Sequence, residues 1–213
     1  MDTIIRFFQE GGVFMYPITL ILALGMAIAL ERYLFLSSAK SKNNKTWNQL
    51  IPLINQGDIA AATKVVEKTK SHIGHVVAYG LNQRKTSKHR EDIETAMEEG
   101  LMEVLPKLEK RTHYVATYAN IATLMGLLGT IIGLIQAFTA VANADPAEKA
   151  NLLSASISVA MNTTAYGLIA AIPLLLMFAL LQTKTTEVVD SLEMASVKIV
   201  NLISGENSKN GNA

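Results

Sequence analysis

Apolar residues in this chain gather into three uncharged blocks, with polar and charged residues filling the intervals between them. The first block runs from Gly11 to Leu30, the second from Tyr114 to Ala144, and the third lies between Lys149 and Lys184. Each matches or exceeds the ~20 residues a helix needs to cross the hydrocarbon core of a bilayer. The pattern predicts an all-α membrane protein with transmembrane helices at 11–31, 114–142 and 152–182. A segment over 1–10 precedes them, and a short loop over 143–151 joins the second and third.

The third block is not uniformly greasy. Ala160, Thr163, Thr164, Gly167, Ala170 and Ala171 recur at helical spacing, so small residues and two hydroxyls share one face. Leu168, Ile169, Leu174, Leu175 and Leu176 fall largely off it. The second block repeats the design with Gly126, Gly129, Thr130, Gly133 and Ala137. Gly129 and Gly133 form a GxxxG pair, which by itself implies only close helix contact. Two such stripes on neighbouring spans, each bearing Thr, point to a shared polar interface.

Outside these blocks the chain also reads as helical. Residues 32–113 form an inserted helical domain, and 183–204 extend the third span through Val188, Val189, Leu192, Ala195, Ile199 and Leu202. Trp47, Leu50, Ile51, Leu53 and Ile54 cluster before Gln56, Gly57 and Asp58, which read as a helix stop followed by an N-cap. The run 83–90 is polar and reads as a loop. From Glu91 onward Ile93, Met97, Leu101, Val104, Leu105 and Leu108 recur at spacings of mostly three and four. Only Pro106 interrupts that pattern, so one helix is expected from near Glu91 to near Ala142. The tail 205–213 is polar and expected to be disordered.

Charge then sets the orientation. The connection from Glu31 to His113 carries 14 of the 19 Lys and Arg residues, and the connection between the second and third spans has only Lys149. Positive-inside reasoning places the N-terminus outside, and the long insertion and C-terminus inside. No basic n-region opens the chain, and Glu31-Arg32 follows the first apolar run, so that run reads as an uncleaved anchor. A net charge of +1 gives no sign of a nucleic-acid partner, and the absence of cysteine excludes disulfides and thiolate metal sites.

The chain carries no phosphate-binding glycine loop, no nucleophile motif and no paired intramembrane carboxylate, so it does not read as an enzyme with a cofactor. His72 and His75 stand one turn apart, but no carboxylate shares their face, and they read as solvated helix residues rather than a metal site. None of the three spans contains an interior Asp, Glu, Lys, Arg or His. A membrane ion path often depends on such a group. If this chain helps to move protons, the carboxylate must come from a partner inserted among the Thr-bearing stripes. The hydroxyls of Thr130, Thr163 and Thr164 are then expected to line the ion path and solvate it.

The run from Gly126 through Gly129-Thr130 to Gly133, followed by Thr163-Thr164-Ala165-Tyr166-Gly167 and Pro173, resembles the MotA/TolQ/ExbB channel family. Met15-Tyr16-Pro17 and Glu31-Arg32 add to the likeness, and three spans fit its ExbB/TolQ branch. The resemblance implies a homopentameric bundle in a bacterial inner membrane around single-span partners of ExbD or TolR type. Those partners carry a membrane aspartate, and a TonB- or TolA-like effector receives the work. It also implies that Thr130 and Thr164 are pore-facing hydroxyls, with Gly126, Gly129, Gly133, Ala160 and Gly167 packing the helices. Two departures stand out: Val159 occupies a position where ExbB proteins often have glutamate, and Thr123 one where proline is frequent. Thr163 stands where many proton-driven members have Ala and sodium-driven stators have Thr. The driving ion is therefore expected to be the proton, with transient sodium near Thr163 and Thr164 as the alternative. A passive scaffold without ion flux would also need the small-residue faces, but not the hydroxyls.

Overall fold

The computed structural model describes residues 12–87, 89–142 and 144–210, except for the side chains of 205–210. Six helices occupy them: α1 Met15–Asn55, α2 Ile59–Lys68, α3 His72–Thr86, α4 Arg90–Glu109, α5 Thr112–Ala142 and α6 Lys149–Asn210. No strand occurs among the described residues. Three stretches, in α1, in α4–α5 and in α6, are long and apolar enough to cross a membrane. The expected N-terminal segment over 1–10 lies outside the described residues. The tail expected to be disordered over 205–213 is helical in its backbone through Asn210, and 211–213 lie outside the described residues.

Local sequence explains most helix ends. Gly57 takes φ +74°, a left-handed conformation that glycine reaches without a Cβ clash. The N–H of Gly57 donates to the Ile54 carbonyl at 3.0 Å, and that of Asp58 to the Leu53 carbonyl at 2.9 Å. This paired closure satisfies carbonyls that the end of α1 would leave unbonded. Asp58 then caps α2, its carboxylate accepting from the Ala61 N–H at 2.9 Å. Ser71 caps α3 in the same way, accepting from Gly74 N at 3.1 Å. Ahead of α6, the Asp145 carbonyl accepts from Glu148 N at 2.9 Å and Lys149 N at 3.2 Å.

Two expectations are corrected. The single helix expected from Glu91 to Ala142 is broken: α4 ends at Glu109, and Arg111 takes φ +67° before α5 begins. Pro106 is tolerated inside α4, and the last bond of that helix runs from Lys110 N to the Pro106 carbonyl at 3.0 Å. A left-handed non-glycine residue costs about 1–2 kcal/mol, and periodicity alone carries no signal for it. The loop expected over 83–90 shrinks to the residues between Thr86 and Arg90, because α3 continues through Gln83, Arg84 and Lys85. Basic residues suit a helix C-terminus, where they face the negative end of the dipole.

The chain divides into two compact units. The first draws on Met1–Arg32 and Arg111–Leu181, the second on Tyr33–Lys110 and Gln182–Ala213. In the first, α5 and the leading part of α6 pack on the first turns of α1. Gly25 lets Leu174 approach closely: a Cβ there would stand 2.8 Å from Leu174 Cδ2. Leu174, expected off the small-residue face, instead continues it one turn beyond Ala170 and Ala171 and is fully buried, while Leu168, Ile169, Leu175 and Leu176 are exposed. Leu20, Leu124, Ile135 and Phe138 also point outward, an exterior suited to lipid or to neighbouring subunits rather than to water.

In the second unit α3 and α4 form a tight pair. Ile73, Val76, Val77 and Leu81 are buried with Ile93, Met97, Val104 and Leu108. A Cβ on Gly80 would lie 2.6 Å from Met97 Cγ, so the small residue sets the helix spacing. Val188, Leu192, Ala195 and Ile199 bury the apolar stripe of α6 in the same unit. Lys40 and Glu187 pair at 2.7 Å, and Lys184 donates to Ser37 Oγ at 2.9 Å with its ammonium 3.9 Å from the Tyr33 ring centroid.

Candidate functional site

The two small-residue stripes meet each other. Gly126 on α5 lies against Gly167 and the backbone of α6: a Cβ on Gly126 would stand 3.1 Å from Gly167 Cα and 3.2 Å from the Thr163 carbonyl. A Cβ on Gly167 would fall 2.8 Å from the Ala122 carbonyl and 2.9 Å from Gly126 Cα. Two turns along, Gly133 faces Ala160, where an added Cβ would stand 3.0 Å from Ala160 Cβ. Ala122, Ala137, Ala160 and Ala170 are buried in the same first unit. Lipid supplies no hydrophobic drive between apolar helices, so close backbone approach and interhelical hydrogen bonds must hold them.

At the middle of this crossing the hydroxyls of Thr130 and Thr164 are in hydrogen-bond contact. Thr164 also donates across the interface to the Gly126 carbonyl at 3.0 Å. Thr130 reaches the same carbonyl at 3.2 Å, and the Ala160 carbonyl at 3.5 Å. Both Thr residues are half-buried. Each hydroxyl has one hydrogen and two lone pairs. With the Thr164 hydrogen directed at the Gly126 carbonyl, Thr130 is the donor in the contact between them, and the two oxygens retain accepting capacity. When a hydroxyl rotates, it donates instead. The pair can thus hydrogen-bond a neutral carboxylic acid or its carboxylate, but it cannot itself hold a charge.

Thr163 is placed differently. It is 2% exposed, and its hydroxyl donates to the Val159 carbonyl one turn back at 3.0 Å. Its methyl faces Gly129, where an added Cβ would stand 2.4 Å from Thr163 Cγ2. Adjacent in sequence, Thr163 and Thr164 thus face different surroundings. Val159 lies beside Gly12, whose added Cβ would be 3.3 Å from Val159 Cγ1.

A further polar link went unassigned at the level of sequence. The Tyr166 hydroxyl lies 2.8 Å from Thr19 Oγ1, and Thr19 donates to the Met15 carbonyl at 2.8 Å. Because the Thr19 hydrogen is committed, Tyr166 is the donor between them. The two residues stand 147 positions apart. The only signal for the contact was a tyrosine within the small-residue motif and a lone Thr in the first span. The histidines are likewise resolved by space rather than by sequence. His75 Nε2 meets Glu103 at 2.8 Å, and Tyr79 and Lys107 join the same carboxylate at 2.9 Å and 3.0 Å. That network holds the Glu103 carboxyl down to about 2, chiefly through the bond to His75, then those to Lys107 and Tyr79. No group of three His, Cys, Asp or Glu side chains suited to a metal occurs among the described residues.

Comparison with known proteins matches the sequence that builds this site to a family. The sequence pattern of the MotA/TolQ/ExbB proton channel family covers residues 68–194, a stretch that includes Gly126, Thr130, Thr164 and Gly167. A biopolymer transport protein ExbB homologue of Methanothermobacter thermautotrophicus is 26% identical over 197 residues, spanning 90% of this chain and 67% of its own length. An ExbB-like protein of Synechocystis is 25% identical over 192 residues, 84% of this chain and 90% of its own. The Tol-Pal system protein TolQ of Haemophilus influenzae is 36% identical over 78 residues, 37% of this chain and 34% of its own. With three membrane-length apolar helices and a family match over more than half of its length, this chain belongs to the MotA/TolQ/ExbB proton channel family, on its ExbB-like branch.

Proposed function

We propose that this protein is the channel-forming subunit of a proton-driven motor in a bacterial inner membrane. It works with a single-span partner of ExbD or TolR type whose membrane aspartate takes up and releases the ion. A TonB- or TolA-like effector would pass the resulting motion to envelope transport or related work. Five copies would form the bundle, with the N-terminus periplasmic and the insertion and C-terminus cytoplasmic, as the distribution of Lys and Arg implies.

The observation that carries this reading is the Thr130–Thr164 pair, set within spans that contain no interior Asp, Glu, Lys, Arg or His. A carboxyl that cycles between neutral and charged forms in a dry helix bundle needs a neighbour able to satisfy both. Hydroxyls do this, because they donate to the carboxylate and accept from the acid. A proton asks for no further ligand. Sodium would need several hard oxygens. The hydroxyl of Thr163, next to Thr164 in the sequence, is buried and bonded to Val159, which favours the proton.

The test is reconstitution with a partner of this type in vesicles under a fixed proton gradient, in sodium-free potassium buffer. Proton uptake that requires the partner and is lost in Thr164→Val is the expected result. Uptake that appears only when sodium is added would replace the proton by sodium. Full in vivo activity of both Thr130→Val and Thr164→Val would leave a passive scaffold as the better reading.

A further inference from the structure

We propose that the second unit carries a binding site for a compact anion bearing two or more phosphates, in a cleft between α1, α2 and the start of α3. The cleft encloses about 530 Å³, within the roughly 300–1,000 Å³ of small-molecule sites. Lys42 and Lys45 from α1, Lys64 and Lys68 from α2, and Lys70 from the α2–α3 connection line it, and no carboxylate does. All five are exposed. None has an ion-pair partner within 4.0 Å among the described residues, whereas Lys40 and Lys107 nearby are paired with Glu187 and Glu103. Five uncompensated ammonium groups around one cavity concentrate positive potential and draw in counter-charge.

The wall of the cleft beneath the lysines is polar and ordered by hydrogen bonds. Ser71 is 4% exposed and lines the cavity at the N-terminus of α3. Its oxygen accepts from Gly74 N at 3.1 Å and from the Thr69 hydroxyl at 3.3 Å. Thr69 in turn lies 3.0 Å from the hydroxyl of buried Thr46, which must be the donor there because the Thr69 hydrogen is already given to Ser71. This one-way chain from Thr46 through Thr69 ends at Ser71. These bonds fix Ser71 and Thr69 in the wall of the cleft, where both line the cavity.

The chemistry of the lining selects the ligand. Lysines recognise phosphate as point charges, and the amino end of a helix adds favourable dipole and N–H donors. Val65 is the only apolar residue in the lining, and no aromatic ring is present to hold a base or a hydrophobic side chain. The anion is therefore small and charge-dense, either a free polyphosphate or a lipid headgroup with more than one phosphate.

Calorimetric titration of the full chain in non-ionic detergent with tripolyphosphate tests this. The expected result is one saturable site per chain, weakening as salt rises. The double substitution Lys68→Gln with Lys70→Gln should lower affinity at least about tenfold, and Lys45→Gln with Lys64→Gln should do likewise. Lys198→Gln, outside the cleft, should bind as the wild type does. A parallel titration with a short-chain lipid bearing a diphosphorylated headgroup separates the sources. Tighter binding of the lipid assigns the site to a headgroup, and tighter binding of tripolyphosphate to a free anion. Absence of saturable binding below about 1 mM for both probes, or equal binding by the lysine variants with unchanged helicity, would overturn the proposal.

Discussion

Gly129 on α5 and the Thr163 methyl on α6 occupy so little shared space that a Cβ on Gly129 would stand 2.4 Å from Thr163 Cγ2. A β-branched side chain on a helix has one or two usable rotamers, so Thr163 cannot swing clear. This contact commits Thr163 to packing, and it leaves Thr164, one residue on, to meet Thr130.

Substitution at the crossing should be costly in proportion to how much backbone it meets. Gly167→Ala would place a methyl 2.8 Å from the Ala122 carbonyl and 2.9 Å from Gly126 Cα, where no side chain can yield. Overpacking of this kind costs about 1–3 kcal/mol. The helices should separate enough to lower thermal stability in detergent and to abolish activity. Gly133→Ala, whose added methyl would be 3.0 Å from Ala160 Cβ, should be milder. Equal melting temperatures for Gly167→Ala and wild type would contradict the close approach described here.

Thr164→Val keeps the volume and removes the oxygen that donates to Gly126 at 3.0 Å. An interhelical hydrogen bond in a membrane is worth only about 0.6–2 kcal/mol, so assembly should survive. Ion-coupled activity should fall to background, and Thr130→Val should behave alike. Thr163→Val should retain much more activity than either, since its hydroxyl serves its own helix. Growth or transport assays on the three variants, with membrane levels checked by immunoblot, would separate these outcomes.

Tyr166→Phe removes the donor to Thr19 and leaves the ring in place. The expected loss is about 0.5–1.5 kcal/mol, the net worth of one hydrogen bond. Thr19→Val should cost a similar amount, and the double variant should lose less than the sum, because the two residues share one bond. Strict additivity in a double-mutant cycle of unfolding would show that the contact carries no coupling.

Glu103 provides a test by acid. Its carboxyl is held at about 2 rather than 4.5 by His75, Lys107 and Tyr79. The folded value lies below the unfolded one, so its contribution is fully present above about pH 4.5 and is lost as pH falls towards 2. The cluster is exposed, and solvent screening keeps the effect small. The wild type should lose thermal stability over that window more steeply than Glu103→Gln. Superimposable pH profiles for the two proteins would refute the assignment.

The sequence by itself determined what depends on near neighbours. Three uncharged blocks set the membrane segments, because their length and lack of charge are properties of each stretch alone. Gly57 and Asp58 set the turn from α1 to α2, because a left-handed glycine and an N-cap act within a few residues. The stripes through Gly126 and Gly167 were legible from helical period, and the family from the resemblance of the motifs that contain them. Tertiary structure decided what depends on how helices cross. Thr163 and Thr164 look equivalent in the sequence, yet successive positions on a helix point about 100° apart, so the crossing buries one against Gly129 and joins the other to Thr130. Tyr166 and Thr19 stand 147 residues apart, and His75 and Glu103 stand 28 apart. No periodicity links such pairs. The break at Arg111 was equally hidden, since a single left-handed residue costs little and leaves the apolar spacing on either side intact. The lysines of the cleft are scattered from 42 to 70 in the sequence, and only the folding of α2 and α3 against α1 gathers them around Ser71.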